Sequence, residues 1–340
     1  MDNNLIMPDN PNIFFSIIVP AFNAEKYIDR AISSILNQDF QDFELIVVND
    51  GSTDNTADII NEYINQNTKI TVVTHQKNES LHVARMDGVA AVNGKYVLFL
   101  DADDYFTDNA LSILYNEIQK NPMYDFYEFG YIEKPSDKKV FPFFSGIGRF
   151  SAFFEEENYS LQTMWNKVYD VNLLKNAFLK MERIFLNNVE DLYESIIIAY
   201  YVKRIYSIKK IITNYVIGTG ISTTHKNYLE TVVFLESIQT MLKLVDNYLR
   251  NNKLHIILDN LQYRLMELTI NHHINSQKDK YDMEKLFIML PDFFDIKLIM
   301  EYLFYREEAY KEISSVSNSK YFKYFKHIIQ QLRKIKKLFV

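Results

Sequence analysis

Lys95-Tyr96-Val97-Leu98-Phe99-Leu100 runs directly into Asp101-Ala102-Asp103-Asp104. Six mostly apolar, β-favouring residues give way to three carboxylates in four positions. An apolar run of this length reads as a strand buried on both faces, as in a parallel sheet. Burying several unpaired carboxylates is very costly, so the acids belong where the strand emerges. In open α/β sheets that edge is where ligands bind. Crowded like charges of this kind suit a hard divalent cation, Mn²⁺ or Mg²⁺, which takes oxygen ligands and shares them with a phosphate. The same four residues also read as a solvated turn capping the helix that starts near Asp108. An EF-hand calcium loop fits less well, because Ser112 rather than Glu stands at its twelfth position.

Working back towards the N-terminus, Phe14 to Val19 is a strand stopped by Pro20. Ile28, Ala31, Ile32, Ile35 and Leu36 then recur at helical spacing between Ala24 and Gln38, with Asn23 as the expected N-cap. A second strand, Phe43 to Val48, ends in Asn49-Asp50-Gly51-Ser52-Thr53-Asp54, and Asp54 is placed to cap a helix carrying Ala57, Ile60 and Ile64. A strand over Ile70 to Thr74 and a helix over Leu81 to Val92 lead into the central strand. This β-α-β-α-β-α-β rhythm predicts a mostly parallel sheet with right-handed crossovers, an α/β fold. Asn23, Asp50 and the Asp101 cluster then share one sheet edge, across which a nucleotide could lie. Asp50-Gly51-Ser52 on its own reads equally as a plain turn. No Gly-x-Gly-x-x-Gly follows the first strand, which argues against a dinucleotide-binding dehydrogenase.

The chain has 340 residues, enough for two domains. With 48% hydrophobic and 24% charged residues it can bury a core. It has no cysteine, which excludes disulfides and thiolate metal sites. The net charge of -7 argues against nucleic acid as a partner. Met1 to Asn12 lacks the pattern of a signal peptide, and no run reaches the roughly 18 apolar residues of a membrane span. These features predict a cytoplasmic protein.

Ser16-Ile17-Ile18-Val19-Pro20-Ala21-Phe22-Asn23, Val48-Asn49-Asp50-Gly51-Ser52-Thr53-Asp54 and Phe99-Leu100-Asp101-Ala102-Asp103-Asp104 resemble, in order and spacing, the three signatures of family 2 glycosyltransferases. The resemblance covers roughly residues 14 to 225. It implies a GT-A fold, Rossmann-like with a mostly parallel central sheet, and a transferase that moves a sugar from a nucleotide diphosphate sugar with inversion at the anomeric carbon. Carried over by position, it implies that Pro20, Phe22, Asn23 and Glu25 line a base pocket and that Asp50 accepts from a uracil of a UDP-linked donor. Asp101 and Ala102 would approach the ribose, and Asp103 would hold the metal on the diphosphate. Asn78, Ala84, Arg85, Gly88 and Gly94 match a further family pattern in part, with Asn78 and Arg85 on the donor side. Ser80 stands where the family usually has Gly, and Met86 where it usually has Asn.

Asp125 to Tyr131 and Lys139 to Phe143 read as strands, antiparallel or at the sheet edge, and Ser145 to Ser160 as a loop. Met164-Trp165-Asn166-Lys167-Val168-Tyr169 is similar to a family element that precedes the acceptor site. Trp165 also reads as core, while Asn166 and Lys167 could face the diphosphate or acceptor. Glu190-Asp191 matches the family's acid pair, whose second member is the base, here Asp191. A free Asp, with a pKa of about 3.9, is ionised at neutral pH and can take a hydroxyl proton. The same residue also suits the N-terminus of a helix over Leu192 to Tyr200. Further on, the family's usual Arg before a Ser is missing; Ser222 is retained, and His225 could close over the diphosphate or the metal.

From about Tyr228 long helical patterns begin, first Leu229 to Val245 and then Ile256 to Leu268. The predicted organisation is a tail over 1–12, the GT-A domain over 13–225 and a helical extension over 226–340. Between Lys320 and Val340 there are seven Lys or Arg and no acid, interleaved with Phe322, Phe325, Ile329 and Leu332. Such a segment suits peripheral contact with the inner face of a membrane, or equally a homodimer through the C-terminal helices. The expected acceptor is a hydroxyl of a glycan, lipid-linked or protein acceptor, as in envelope polysaccharide synthesis. A catalytically silent nucleotide-sugar binding scaffold is the alternative that the departures at Ser80 and Met86 leave open.

Overall fold

The computed structural model describes residues 13–142, 146–147, 163–186, 189–219 and 228–251. The chain divides into two compact units, Met1–Thr224 and His225–Val340.

In the first unit the apolar runs become strands buried on both faces. β1 (Phe15–Ala21) and β2 (Phe43–Asn49) are buried along their whole length, as is β4 (Tyr96–Phe99). β1 lies parallel to both, with Ile17 opposite Leu45 on one side and Leu98 on the other. β3 (Ile70–Thr74) extends the sheet beyond β2. The crossovers are α1 (Ile28–Leu36), α2 (Thr56–Ile64) and α3 (Leu81–Ala91). α1 packs Ile28, Ala31, Ile32 and Ile35 inward at the spacing the sequence predicts. α3 sits tightly on the sheet because Gly88 has no side chain; a Cβ there would lie 2.5 Å from Ile18 Cγ2.

The second half of the sheet was less legible. After β5 (Tyr105–Phe106) and α4 (Ala110–Lys120) come β6 (Phe126–Lys134), β7 (Lys138–Val140) and β8 (Gly146–Ile147). β9 (Lys167–Asp170), α5 (Val171–Phe178), α6 (Glu190–Tyr201) and β10 (Arg204–Val216) complete the unit. The strand order is β3-β2-β1-β4-β9-β6-β10-β5, with β7 on β6 and β8 on β10. The longest pairings, β1 with β2 and β6 with β10, are parallel, and the antiparallel ones are two or three residues long. The result is a mixed α/β, Rossmann-like sheet of the GT-A kind.

Three sequence expectations change here. Of the two readings given for β6, antiparallel holds, since it pairs so with β9 and β7, and edge does not, since it lies between β9 and a parallel β10. Asn23 does not cap α1, which begins five residues beyond it at Ile28. Its backbone is left-handed, with φ of +49°, and its side chain instead accepts from Thr53 N at 2.9 Å. Asn166 and Lys167 do not face a cleft: both are buried, and Lys167 Nζ donates to Thr163 O at 2.6 Å and Asn166 Oδ1 at 2.7 Å. Burial brings the Lys167 amine down to about 8, against the pull of Glu128 and Asp191. Trp165 is core, stacked face to face on Tyr215 at 4.7 Å.

In the second unit, α7 (Tyr228–Asn251) buries Leu235, Ile238, Met241, Leu242 and Val245, in keeping with the amphipathic pattern read there. No described helix is long and apolar enough to cross a membrane. The expected loop over 145–160 (apart from β8), Ser222, His225, the helix from Ile256 and the basic segment from Lys320 lie outside the described residues.

Candidate active site

The C-terminal ends of β1, β2 and β4 meet at one edge, and the three motifs interlock there. Asn23 N donates to Ser52 Oγ at 3.1 Å, and Glu25 N donates to Asp54 Oδ2 at 3.1 Å. Glu25 Oε2 in turn accepts from the Asn55 backbone N–H at 3.1 Å, just ahead of the first turn of α2. Asp54 stands one residue ahead of the cap position of α2, which Asn55 occupies, and its Oδ1 accepts from Thr56 N at 3.0 Å. Glu25 and Asn23 therefore tie the end of β1 to the loop after β2. Pro20 is buried within β1, while Phe22 projects outward, 41% exposed.

Asp50 is buried and already well supplied with donors. Oδ1 takes the Glu79 N–H at 2.8 Å and lies 2.6 Å from His75 Nδ1; Oδ2 takes the Ser80 N–H at 3.0 Å. A carboxylate has about four acceptor positions, so one direction on Oδ2 remains. This close approach requires Gly51. Its φ is +68°, and a Cβ would fall 2.3 Å from the Lys77 carbonyl carbon. Asn78 is half-buried, and its Oδ1 also accepts from Ser80 N, at 3.1 Å.

Ser80 explains why Gly is usual at its position. Its φ is +91° and ψ 157°, a region that glycine alone occupies without strain. The hydroxyl is buried and accepts from Leu186 N at 3.3 Å.

At the centre, α3 delivers Arg85 to α6. The guanidinium is buried; Nη1 donates to Asp191 Oδ1 and, at 2.9 Å, to Glu194 Oε2, while Nη2 lies 3.6 Å from Asp101 Oδ1. Burial works against the charged guanidinium, but Asp191, Glu194 and Asp101 hold its pKa well above the ordinary value. Behind it, His82 places Nδ1 2.8 Å from Glu194 Oε1 and donates from Nε2 to the Glu182 carbonyl at 3.0 Å. Burial disfavours the imidazolium, yet Glu194's hydrogen bond and charge raise its pKa overall. Sequence reading missed both His82 and Glu194. Nothing in a helix pattern distinguishes a buried ion pair from apolar packing 112 residues away.

The acids after β4 are crowded. Burial pushes the Asp101 carboxyl up, Arg85 counters, and Asp191 and Asp103 push again, to about 7. Its side chain nevertheless keeps an open face, 27% exposed. Asp104 is buried and driven to about 9, first by burial and then by Asp101; Oδ1 accepts from Val216 N, and Oδ2 has no partner among the described residues. Asp103 Oδ2 accepts from Thr219 Oγ1 at 2.5 Å, and its carbonyl accepts from Arg30 Nη2 at 2.7 Å. Ala102 is half-buried against the core. Glu190 is likewise pushed up, by burial and by Asp191 beside it. This surplus of confined negative charge fits a divalent cation. Among the described residues no three acidic or imidazole side chains are grouped to hold one unaided, so such an ion would share ligands with a bound phosphate.

Residues 16–175 match Glycosyl transferase family 2. An uncharacterized glycosyltransferase of Bacillus subtilis, EpsJ, is 36% identical over 126 residues, 37% of this chain and 36% of that protein. The matched stretch spans only 25% to 42% of the length of the first three curated relatives. Among solved structures, residues 1–349 of S. aureus TarS share the fold with a TM-score of 0.61 at 22% identity, covering 84% of this chain and 82% of that one. TarS 1–349 has also been solved in complex with UDP and with UDP-GlcNAc. The mannosyltransferase PcManGT of Pyrobaculum calidifontis, solved with GDP-Man and Mn2+, has a TM-score of 0.52 at 13% identity and covers 98% of this chain and 88% of that one. The three strand-end motifs, from Ser16 to Asp104, all fall within the stretch over 16–175 that matches glycosyl transferase family 2, and the sheet they edge continues beyond it to Val216.

Proposed function

We propose that this chain transfers a sugar from a UDP-linked donor to an acceptor hydroxyl, with inversion at the anomeric carbon. The observation that carries the reading is the convergence of Asp101, Arg85 and Asp191 at the edge where β4 ends, the first two within the stretch that matches family 2. The uracil would meet the open acceptor direction of Asp50, and the ribose would meet Asp101. Asp103 would hold Mn²⁺ or Mg²⁺ against the diphosphate; when bound, such an ion supplies Lewis-acid stabilisation of the leaving group.

Asp191 would act as the base. Arg85 engages its Oδ1, and the carboxylate is 32% exposed, so Oδ2 is available to an acceptor. The acceptor hydroxyl passes its proton to Asp191 as its oxygen bonds to the anomeric carbon and the bond to the diphosphate breaks. A general base on the face opposite the leaving group is what inversion requires. Glu190 is a poorer candidate, since burial and Asp191 favour its protonated form.

The acceptor class, a glycan, lipid-linked or protein hydroxyl, and attachment to a membrane face through the basic segment remain proposals drawn from sequence. Release of UDP from a panel of UDP-sugars, followed with and without Mn²⁺, tests the reading. Turnover with at least one UDP-sugar is expected; UDP that binds without any turnover across the panel and across glycan acceptors would favour the silent scaffold.

A further inference from the structure

A chain of charged groups runs from the nucleotide edge to the segment that leads into α6, and the reading above uses only its first member, Asp50. His75, at the end of β3, is buried between two carboxylates. Its Nδ1 lies 2.6 Å from Asp50 Oδ1 and its Nε2 2.8 Å from Asp87 Oδ2. Asp87, on α3, is gripped by both ends of the Arg183 guanidinium, Nη1 to Oδ1 at 2.6 Å and Nη2 to Oδ2 at 3.0 Å. Arg183 Nη2 also holds Glu79 Oε2 at 2.8 Å, and the Glu79 N–H returns to Asp50 Oδ1 at 2.8 Å. The circuit closes on itself through four separate parts of the chain.

We propose that His75 is a positioning residue for the donor's base, fixing the rotation of Asp50 so that its remaining Oδ2 lone pair points at a uracil N–H. The inference rests on the UDP reading above. Two groups on Oδ1 and one on Oδ2 leave a single acceptor direction, and a side chain held in that way is pre-organised. Uracil offers N3–H, a donor, to that direction. Cytosine offers a bare N3 lone pair, which a fixed carboxylate repels. A site built to pair with one donor rejects the analogue lacking it, because its own polar group is left unmet. Asp87 and Arg183 keep the imidazole from swinging away, so the discrimination depends on the whole chain.

The test is the ratio of UDP to CDP affinity, measured by calorimetry on the full chain with Mn²⁺ present. The native protein is expected to prefer UDP by at least about tenfold, a difference of about 1.4 kcal/mol. His75→Leu is expected to weaken UDP binding towards the CDP value while leaving CDP unchanged. His75→Asn, which keeps an N–H facing Asp50, is expected to retain most of the ratio. A merely structural role would lower both affinities together, and that outcome overturns the proposal, as does an unchanged ratio in His75→Leu. If His75→Leu does not fold, Arg183→Ala reads the same ratio from the half-exposed far end of the chain. A reduced ratio supports the proposal, and an unchanged one overturns it. A native protein that binds UDP and CDP equally, or neither, overturns the UDP reading itself and the role of His75 with it.

Discussion

Arg85 and Asp191 are 106 residues apart in sequence and hydrogen-bonded in the fold, which joins α3 to the acid proposed as base. The guanidinium also holds Glu194, so one buried cation holds two carboxylates of α6. Removing one partner of a buried ion pair strands the other's charge. Arg85→Met should therefore cost about 3–5 kcal/mol in urea unfolding. A loss below about 1 kcal/mol would mean that the network is wetter and looser than described.

Ser80 carries strain that glycine would not. A residue held at φ +91° costs about 1–3 kcal/mol, more than the roughly 0.4–1 kcal/mol that glycine's unfolded-state freedom takes back. Ser80→Gly should raise the unfolding free energy slightly, even with the hydroxyl's bond to Leu186 N lost. Ser80→Ala keeps the strain and loses that bond, and should be destabilised. Thermal unfolding of the two variants in parallel decides; the reverse order contradicts the assignment of strain.

His82 gives the fold a pH dependence of definite sign. Its folded pKa is raised above the unfolded value of about 6.5, because Glu194 outweighs the cost of burial. The stabilisation is therefore fully present below about pH 6.5 and disappears as pH rises through the folded pKa. Urea midpoints of the native protein should fall on the alkaline side of that window, and those of His82→Gln should fall less. Parallel curves for the two would remove His82 from the account.

How far the sequence led depended on whether a feature was local. β1 to β4 and α1 to α3 announce themselves through apolar runs and helical spacing, and the acids after β4 could only lie at a strand end. β9 was missed because Lys167-Val168-Tyr169-Asp170 has only a short apolar stretch, and its place between β4 and β6 depends on pairing with distant strands. Lys167 illustrates the limit. A lysine beside a cleft motif suggests a phosphate contact, but Thr163 and Asn166 satisfy its amine internally. Ser80 was visible as a departure from a family pattern, yet its meaning lay in a backbone angle.

Asp103 should be needed for metal-linked nucleotide binding and not for folding. Its carboxylate contacts Thr219 near the domain surface rather than the core. Asp103→Ala should abolish the extra thermal stabilisation that UDP gives in the presence of Mn²⁺ over its absence. An unchanged Mn²⁺ increment would move the ion to another acid, with Asp101 the first to examine.

The base assignment is the centre of the account, and Asp191→Asn tests it most directly. Asparagine can still accept from Arg85 through its carbonyl oxygen but cannot take a proton at neutral pH. Affinity for UDP, measured by calorimetry with Mn²⁺ present, should remain near the native value. Transfer from whichever UDP-sugar the native protein turns over should fall by at least about a hundredfold, the lower end of a general base's contribution. Near-native turnover by Asp191→Asn would contradict the account and pass the role to Glu190.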